Sequence, residues 1–497
     1  MALQSVWQDR HPRISPSATP TVSREWDVVV VGAGLTGLST ALLLGRAGRS
    51  VLLLEAKHVG AGTTGRSTAK LSLLQGTQLT RIVRRHSPEV VRRYVEANAE
   101  AQAWVRRFCV DHGVAVQDRA AYTFGTTPRG AKAARKECDV ARKAGLPVTW
   151  LDRLDLPFET QGGARLADQF QLDPLALLDE LSLQAAGHQV TLVEGARVRR
   201  VTGGDPARIL TDGGSATADT VVLATNTPIL DRGGFFARME PARSYGLAFR
   251  TPESAVDGMY LSAERPSRSL RDAPDPDGNL LLVGGNGHTT GRGGPETARL
   301  DDLRAWTAAH FPTAEETHAW SAQDYVPQHA LPFAGPILPG AEGILVAGGY
   351  SKWGMTNGVA AALALSGRIL GGHLEWADVF EPWSTRELRG LVDGARINAE
   401  VGVEMATGWI RPVFSPGVGA APAEGDGHVR LDHPGTPTAI ARTDGAERRV
   451  SAVCSHLGGI VRWNDAERSW DCPLHGSRFD PDGEVLDGPA TCGLGRR

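Results

Sequence analysis

Two periods of apolar positions run through this chain. Residues 26–31 form a short, apolar, β-branched run that reads as a buried strand. A helical period follows over 38–47, Gly48 ends it, and 51–54 return to strand. From Glu89 to His112 the residues Val90, Tyr94, Ala97, Ala101, Val105, Phe108 and Cys109 fall mostly three or four apart, the stripe of a long amphipathic helix. Residues 130–144 form a second helical stretch, rich in Arg and Lys, which reads as a solvated face. A third helix spans 172–185, with Asp173-Pro174 as N-cap and first turn. Strand patterns follow at 190–194, 196–201 and 219–226. Between Pro241 and Gly340 strand signals (245–250, 259–262, 279–283) alternate with Pro/Gly turns, which predicts a mostly antiparallel sheet. A strand at 344–347 and a small-residue helix at 359–370 come next. Residues 383–418 read as a connector, a helix and then 409–413, and the Gly/Ala/Pro-rich 417–427 as a linker. The last part has short strands at 429–431, 438–442 and 450–453, a small antiparallel β sandwich. No internal repeat or low-complexity run interrupts this order.

The first strand–helix junction carries Gly32-Ala33-Gly34-Leu35-Thr36-Gly37, and the second strand ends in Glu55-Ala56. Strand, glycine turn, helix, strand and acid within one short unit is a dinucleotide site. Glycines let the backbone approach a pyrophosphate, the helix N-terminus stabilises its charge, and Glu55 can accept from ribose hydroxyls.

Composition narrows the class. At 497 residues the length suggests about three domains. A net charge of −3 gives no reason to expect a nucleic-acid or acidic-membrane partner. No run of eighteen apolar residues predicts membrane insertion, and residues 1–25 lack the apolar core of a signal peptide. Lysine is scarce, six against forty-seven arginines, so a lysine in a functional loop stands out.

The C-terminal part holds the densest chemistry. Cys454-Ser455-His456 and Cys472-Pro473-Leu474-His475 are two mirrored short motifs, with Gly458, Gly459 and Gly476 allowing tight loops. Two thiols and two imidazoles also suit a Cys₂His₂ zinc site. Zinc fingers, however, pair Cys with Cys and His with His in sequence, whereas each motif here carries one of each. The phrase from Cys472 to Asp480 closely resembles Rieske proteins, whose loops hold a [2Fe–2S] cluster with two Cys on one iron and two His on the other. That resemblance assigns Cys454, His456, Cys472 and His475 as ligands. Respiratory Rieske domains add a disulfide between the loops; the matching positions here are Gly459 and Leu474, so the clamp is absent. This fits a lower-potential carrier in a reducing cytoplasm. Of the other cysteines, Cys109 belongs to an apolar stripe, and Cys138 and Cys492 are assigned no role.

A second resemblance covers the rest. The loop Gly60–Lys70, with Thr64, Arg66, Ser67 and Thr68, is similar to the second flavin-contacting segment of the D-amino-acid oxidase superfamily of FAD enzymes. Val198, the strand end Ala224-Thr225, and Gly349 with Trp353-Gly354-Met355-Thr356 match further FAD-contacting positions. The resemblance implies that the helix after Gly354 aims its N-terminus at the pyrimidine side of the flavin. Lys352 would add positive charge there, and Lys70 would hold a water near flavin N5. Arg243, Tyr245, Tyr260, Arg268, Arg271, His288 and Asp324 are candidates to face a substrate, and His288, in a Gly-rich loop, is the best placed for proton transfer.

Together the parts resemble bacterial FAD-dependent oxidoreductases of that superfamily fused to a C-terminal Rieske domain. The implied fold is α/β (α+β). A discontinuous Rossmann-like FAD-binding domain (26–84, 165–235, 341–380) is joined by an antiparallel-sheet substrate domain (85–164, 236–340). An N-terminal extension (1–25), a connector and linker (381–426) and an all-β Rieske domain (427–497) complete it. The implied chemistry is oxidation of a C–N bond in an amine or amino acid by hydride transfer to flavin N5. Electrons would then pass singly through the cluster to a ferredoxin-like protein or quinone. Two alternatives stay open: electron flow in reverse, from a reductase through the cluster to FAD, or a Rieske module that senses or binds without turning over. FAD is expected to be non-covalent, since no cysteine falls in a flavin loop.

Overall fold

The computed structural model describes residues 3–13, 22–252, 255–414, 422–433 and 436–496. Three bodies are built from four sheets.

The first body is an eight-stranded sheet. Its parallel centre runs Val190–Val193, Val51–Leu54, Glu25–Val31, Gly214–Asn226, Ile344–Gly348, with Phe333–Pro336 antiparallel at the edge. Val198–Thr202 and Ala207–Thr211 extend it as a side branch. Strands such as Val51–Leu54 are buried at every position, as a parallel sheet covered on both faces requires. Helices Leu35–Arg46 and Gly354–Ile369 pack together on one face, their small residues allowing close approach. Helix Pro174–Ala186 starts at Asp173, whose carboxylate accepts from Leu175 N.

The second body is a nine-stranded sheet lying over the first. Its order is Glu315–Pro327, Met239–Thr251, Gly278–Thr289, Arg268–Asp275, Met259–Ser262, Val116–Phe124, Gly163–Leu172, Lys70–Leu71, with Thr149–Leu151 paired beside Gly163–Leu172. Only Met259–Ser262 and Val116–Phe124 pair parallel. Two expected boundaries therefore shift. Residues 165–172, assigned to the flavin domain, are the end of a strand of this second sheet, and Lys70-Leu71 pair with it. The chain enters the second sheet before it leaves the glycine-rich loop, so the two bodies share that loop.

Residues 1–25 are not a loose extension where described. Helix Val6–Arg10 is pinned to the flavin loop: Ser5 Oγ donates to Gly65 O at 2.6 Å and Trp7 Nε1 to Ser67 O at 2.8 Å. Trp7 is buried.

The third body pairs a three-stranded sheet, Gly427–His433, Thr436–Thr443 and Ala446–Ser451, with a four-stranded one, Arg462–Asn464, Ser469–Asp471, Arg478–Phe479 and Val485–Asp487. Its own core includes Val450, Trp470, Phe479 and Leu494. The connector is a helix, Leu391–Phe414, so 409–413 continue it rather than start a new element. Asn398 donates to Ala237 O of the flavin body, and Trp409 to Gly458 O of the third. The connector is thus a docked strut. Residues 417–421 of the expected linker lie outside the described residues.

Candidate active site and metal centre

The glycine turn is shaped by contact. Gly32 has φ +103°, and a Cβ there would lie 2.7 Å from Ala224 O. A Cβ on Gly37 would lie 1.8 Å from Gly32 O, so only glycine lets the helix start against the turn. Ala33 N and Lys57 N each donate to the Glu55 carboxylate at 2.9 Å, which fixes the acid at the strand end. Leu35 N donates to Thr64 Oγ1 at 3.2 Å, tying the turn to the second loop.

A cavity of about 980 Å³ opens between the two large sheets. Gly32, Gly34, Leu35, Thr36, Glu55, Ala56, Thr64, Arg66, Ser67, Thr68, Val198, Ala224, Thr225, Trp353, Gly354 and Met355 line it, as do Lys70, Lys352 and His288. Four expected contacts stand behind that wall. Ala33 acts through its N–H on Glu55, and Gly37 packs against the turn. Gly349 (φ +73°) abuts Pro327, and buried Thr356 bonds Gln75 at 3.1 Å. These four shape the cavity without lining it.

The cationic groups differ in setting. Lys70 is buried and donates to Tyr260 O (2.8 Å) and Ser269 Oγ (2.7 Å). Burial, with Arg271 nearby, pushes its amine well below the usual lysine range. Lys352 takes φ +72°, and its N–H donates to buried Asp324. Loss of bulk water lowers its amine while Asp324 pulls the other way; burial raises the Asp324 carboxyl to about 6. His288 lies in the strand Gly278–Thr289, not in a loop. Its Nδ1 faces two carbonyls, Thr289 O (2.9 Å) and Arg292 O (3.1 Å), so it carries the proton, and Nε2 accepts from Tyr245 OH at 3.1 Å. Burial, with Arg299 adding, pushes it down to about 4. A neutral, doubly bonded imidazole orients Tyr245 rather than serving as a ready base.

The other sequence candidates are mostly structural. Arg271 donates to backbone carbonyls, including Thr68 O at 2.6 Å, Arg268 pairs with Asp302, and Tyr260 stacks on Tyr122 with centroids 4.5 Å apart. Asp324 does line the cavity. At the mouth the helix Leu391–Phe414 contributes Asp393, Arg396 and Ile397, facing Arg81, Arg85 and Glu240.

The metal loops bring like with like. The Cys454 and Cys472 thiols lie close enough to couple, and loop N–H groups of His456, Leu457, Leu474 and His475 favour their thiolate forms. The His456 and His475 rings meet edge-on, centroids 5.2 Å apart. His475 Nδ1 is buried without a partner, and His456 uses Nε2 on Asp231 (2.7 Å), which leaves its Nδ1 free. Two thiols on one side and two open imidazole nitrogens on the other fit a [2Fe–2S] cluster. Burial pushes His475 down to about 3, the neutral form a metal requires. Gly459 and Leu474 face each other, a Cβ on the first lying 2.5 Å from Leu474 Cδ1, so leucine packing occupies the place read as the missing clamp.

The cluster module is seated on the other two bodies. Phe236 stacks edge-on against both histidines, at 5.6 and 5.0 Å. Arg243, buried in the second sheet, pairs with Glu467 of the module. Glu467 also accepts from Arg478 at 2.7 Å, and Arg478 bonds Asp471 at 2.9 Å. Arg243, Arg478 and Arg66 together hold the buried Glu467 carboxyl far below the usual range, against the opposing cost of desolvation. Asp465 accepts from Glu296 N and Thr297 N, anchoring the module at the start of the helix Thr297–His310.

Residues 27–368 match the FAD dependent oxidoreductase family DAO, and 421–495 the Rieske [2Fe-2S] domain. The chain belongs to the DAO family. This DAO-family enzyme binds FAD and carries a Rieske [2Fe–2S] cluster. It is 30% identical over 471 residues to YhfW of Bacillus subtilis, named as a Rieske 2Fe-2S iron-sulfur protein, covering 94% of this chain and 92% of that one. Its fold is similar to glycine oxidase from Geobacillus kaustophilus (TM-score 0.60, 20% identity, 72% of this chain and 98% of that one). L-proline dehydrogenase from P. horikoshii is similar too (TM-score 0.60, 15% identity, 73% and 98%). Among the described residues no helix is long and apolar enough to cross a membrane.

Sequence reading missed several site residues of this DAO-family chain. Tyr350, which bonds Thr36 Oγ1 at 2.9 Å, lies between Gly349 and Trp353 but carried no pattern of its own. Asp231, Phe236 and Gln323 gave no local signal. Glu467 carried no signal of its own, and its partners Arg243 and Arg478 became visible only in three dimensions.

Proposed function

We propose that the protein oxidises a C–N bond of a small amine or amino acid and passes the electrons through its Rieske cluster to an external one-electron acceptor, a ferredoxin-like protein or a quinone. FAD, when bound, supplies a hydride acceptor at N5, and the cluster a one-electron carrier. One observation carries the reading: the module that holds the cluster ligands also lines the dinucleotide cavity, through Leu486, Asp487 and Gly488.

The chain's own residues prepare that cavity. The glycine turn and Thr64 loop hold the dinucleotide, and the N-terminus of Gly354–Ile369, with Lys352, presents positive charge to it. Residues of the second sheet, Tyr245, Gly246 and Trp320 among them, form one wall of the cavity, where shielding from water would favour the hydride step. Lys70, held low in pKa by burial, is suited to order a water or accept a proton. Arg81, pushed down to about 10 mainly by burial, stands at the mouth with Arg85 and Arg396, in reach of an anionic substrate group. We place this activity in the cytoplasm, on the absence of a disulfide clamp at Gly459 and Leu474.

The test is anaerobic mixing of the holoenzyme with a panel of amines and amino acids, following flavin absorbance and the EPR signal of the reduced cluster. The expected result is flavin bleaching followed by the cluster signal. If no amine bleaches the flavin while a ferredoxin reductase reduces the cluster first, the direction is reversed. A cluster that stays oxidised throughout flavin turnover supports a sensing role instead.

A further inference from the structure

The dinucleotide cavity and the cluster loop share one strand. In Glu315–Pro327 successive side chains face opposite sides. Asp324 lines the cavity and accepts from Lys352 N. Its neighbours Gln323 and Tyr325 face the second cluster loop. Tyr325 OH donates to His475 O at 3.3 Å. Gln323 Nε2 donates to Gly476 O at 2.8 Å and to Tyr325 OH at 3.1 Å. All three residues are buried.

The remaining groups of Gln323 reach back toward the cavity. Its backbone carbonyl accepts from Thr63 Oγ1 at 2.6 Å and from Asn226 Nδ2 at 3.4 Å, both residues of the cavity wall. Its Oε1 accepts from Thr290 Oγ1 at 2.8 Å, which fixes the amide orientation. The loop fits tightly: Gly476 has φ +75°, and a Cβ there would lie 2.5 Å from Pro241 Cβ. A ligand residue, His475, is thereby joined to the cavity wall by one strand and two side-chain hydrogen bonds.

We propose that Gln323 and Tyr325 are positioning residues whose hydrogen bonds join the second cluster loop to the wall of the flavin cavity and, through that connection rather than by seating the module, set the rate of electron exchange between FAD and the cluster. This rests on the routing proposed above. One electron leaves reduced FAD and turns one ferric ion of the oxidised cluster ferrous. After the external one-electron acceptor has reoxidised the cluster, the second electron follows, and the flavin N5 proton leaves to solvent. Partners that orient ligand residues tune such centres without touching the metal.

The experiment uses the full-length holoenzyme with Tyr325→Phe, with Gln323→Leu, and with Thr317→Val as a same-strand control. Flavin is photoreduced without substrate, and freeze-quench EPR follows the cluster signal. Midpoint potentials of both groups and their separation by pulsed EPR are measured alongside. Cluster reduction is expected to slow several-fold in Gln323→Leu and less in Tyr325→Phe, with potentials and separation unchanged and the control like wild type. An unchanged rate overturns the proposal. So does a slower rate with a longer separation, which would show that these residues only hold the module in place. If the unmodified protein's cluster is never reduced by reduced flavin, the routing itself falls, a failure visible without any variant.

Discussion

Replacing Glu467 with Gln removes one negative charge and almost no volume. The charge is shared by Arg243 and Arg478, side chains 1% and 2% exposed, and Arg66 adds to its field. Deleting one partner of a buried ion pair leaves the other charge stranded and costs about 3–5 kcal/mol. Because Arg243 and Glu467 come from different bodies, the loss falls on the seating of the cluster module. At 1.4 kcal/mol per decade, that weakens docking by roughly 10² to 4 × 10³-fold. The pH dependence has a definite sign. The Glu467 carboxyl is depressed in the folded state, so its contribution is fully present above the unfolded value of about 4.3 and is lost as pH falls through the folded one. Wild type and Glu467→Gln should therefore differ most at neutral pH and converge in strong acid. Hydrogen exchange of segments 239–246 and 465–479 reads the docking directly. The control is Glu316→Gln, whose partner Arg304 is 41% exposed and whose loss should cost less than about 1 kcal/mol. If Glu467→Gln exchanges no faster than wild type at pH 7, the buried pair does not hold the module and the reasoning fails.

Three further outcomes are expected. His475→Cys should lower the cluster potential in an EPR redox titration, since a thiolate adds negative charge to that iron. Trp7→Ala should destabilise the fold by about 3–5 kcal/mol in thermal unfolding, by deleting a buried indole, and should weaken FAD binding because Trp7 holds Ser67 of the flavin loop. For His288, whose folded value of about 4 lies below the ordinary 6.5, stability should rise with pH between those two values; His288→Gln should flatten that slope in urea titrations.

The dinucleotide turn was legible because strand, glycines, helix and acid follow one another along the chain, and Gly32 and Gly37 serve contacts that only glycine permits. The two Cys–His motifs stood out for the same reason, each being short and local. Locality also explains the misses. Ser5 and Trp7 are too few to show a period, yet they anchor the flavin loop. His288 stood among glycines that suggested a loop, but the strand beside it, Met239–Thr251, pairs through them and converts the stretch to sheet. Residues 165–172 were counted with the flavin domain because the helix after them was, and their pairing with Val116–Phe124 places them in the other sheet. Asp231 and His456 are separated by 225 positions, a distance across which no periodicity speaks.

Phe236 and Asp231 cover the two histidines of the cluster module and keep it docked. Under the proposed routing, the internal step is unimolecular, at an effective concentration set by the docked interface rather than by the protein in the tube. Diluting the enzyme should leave the rate of cluster reduction unchanged. Only the hand-off to the outside acceptor should slow, so the two halves of the electron's journey can be separated by concentration alone.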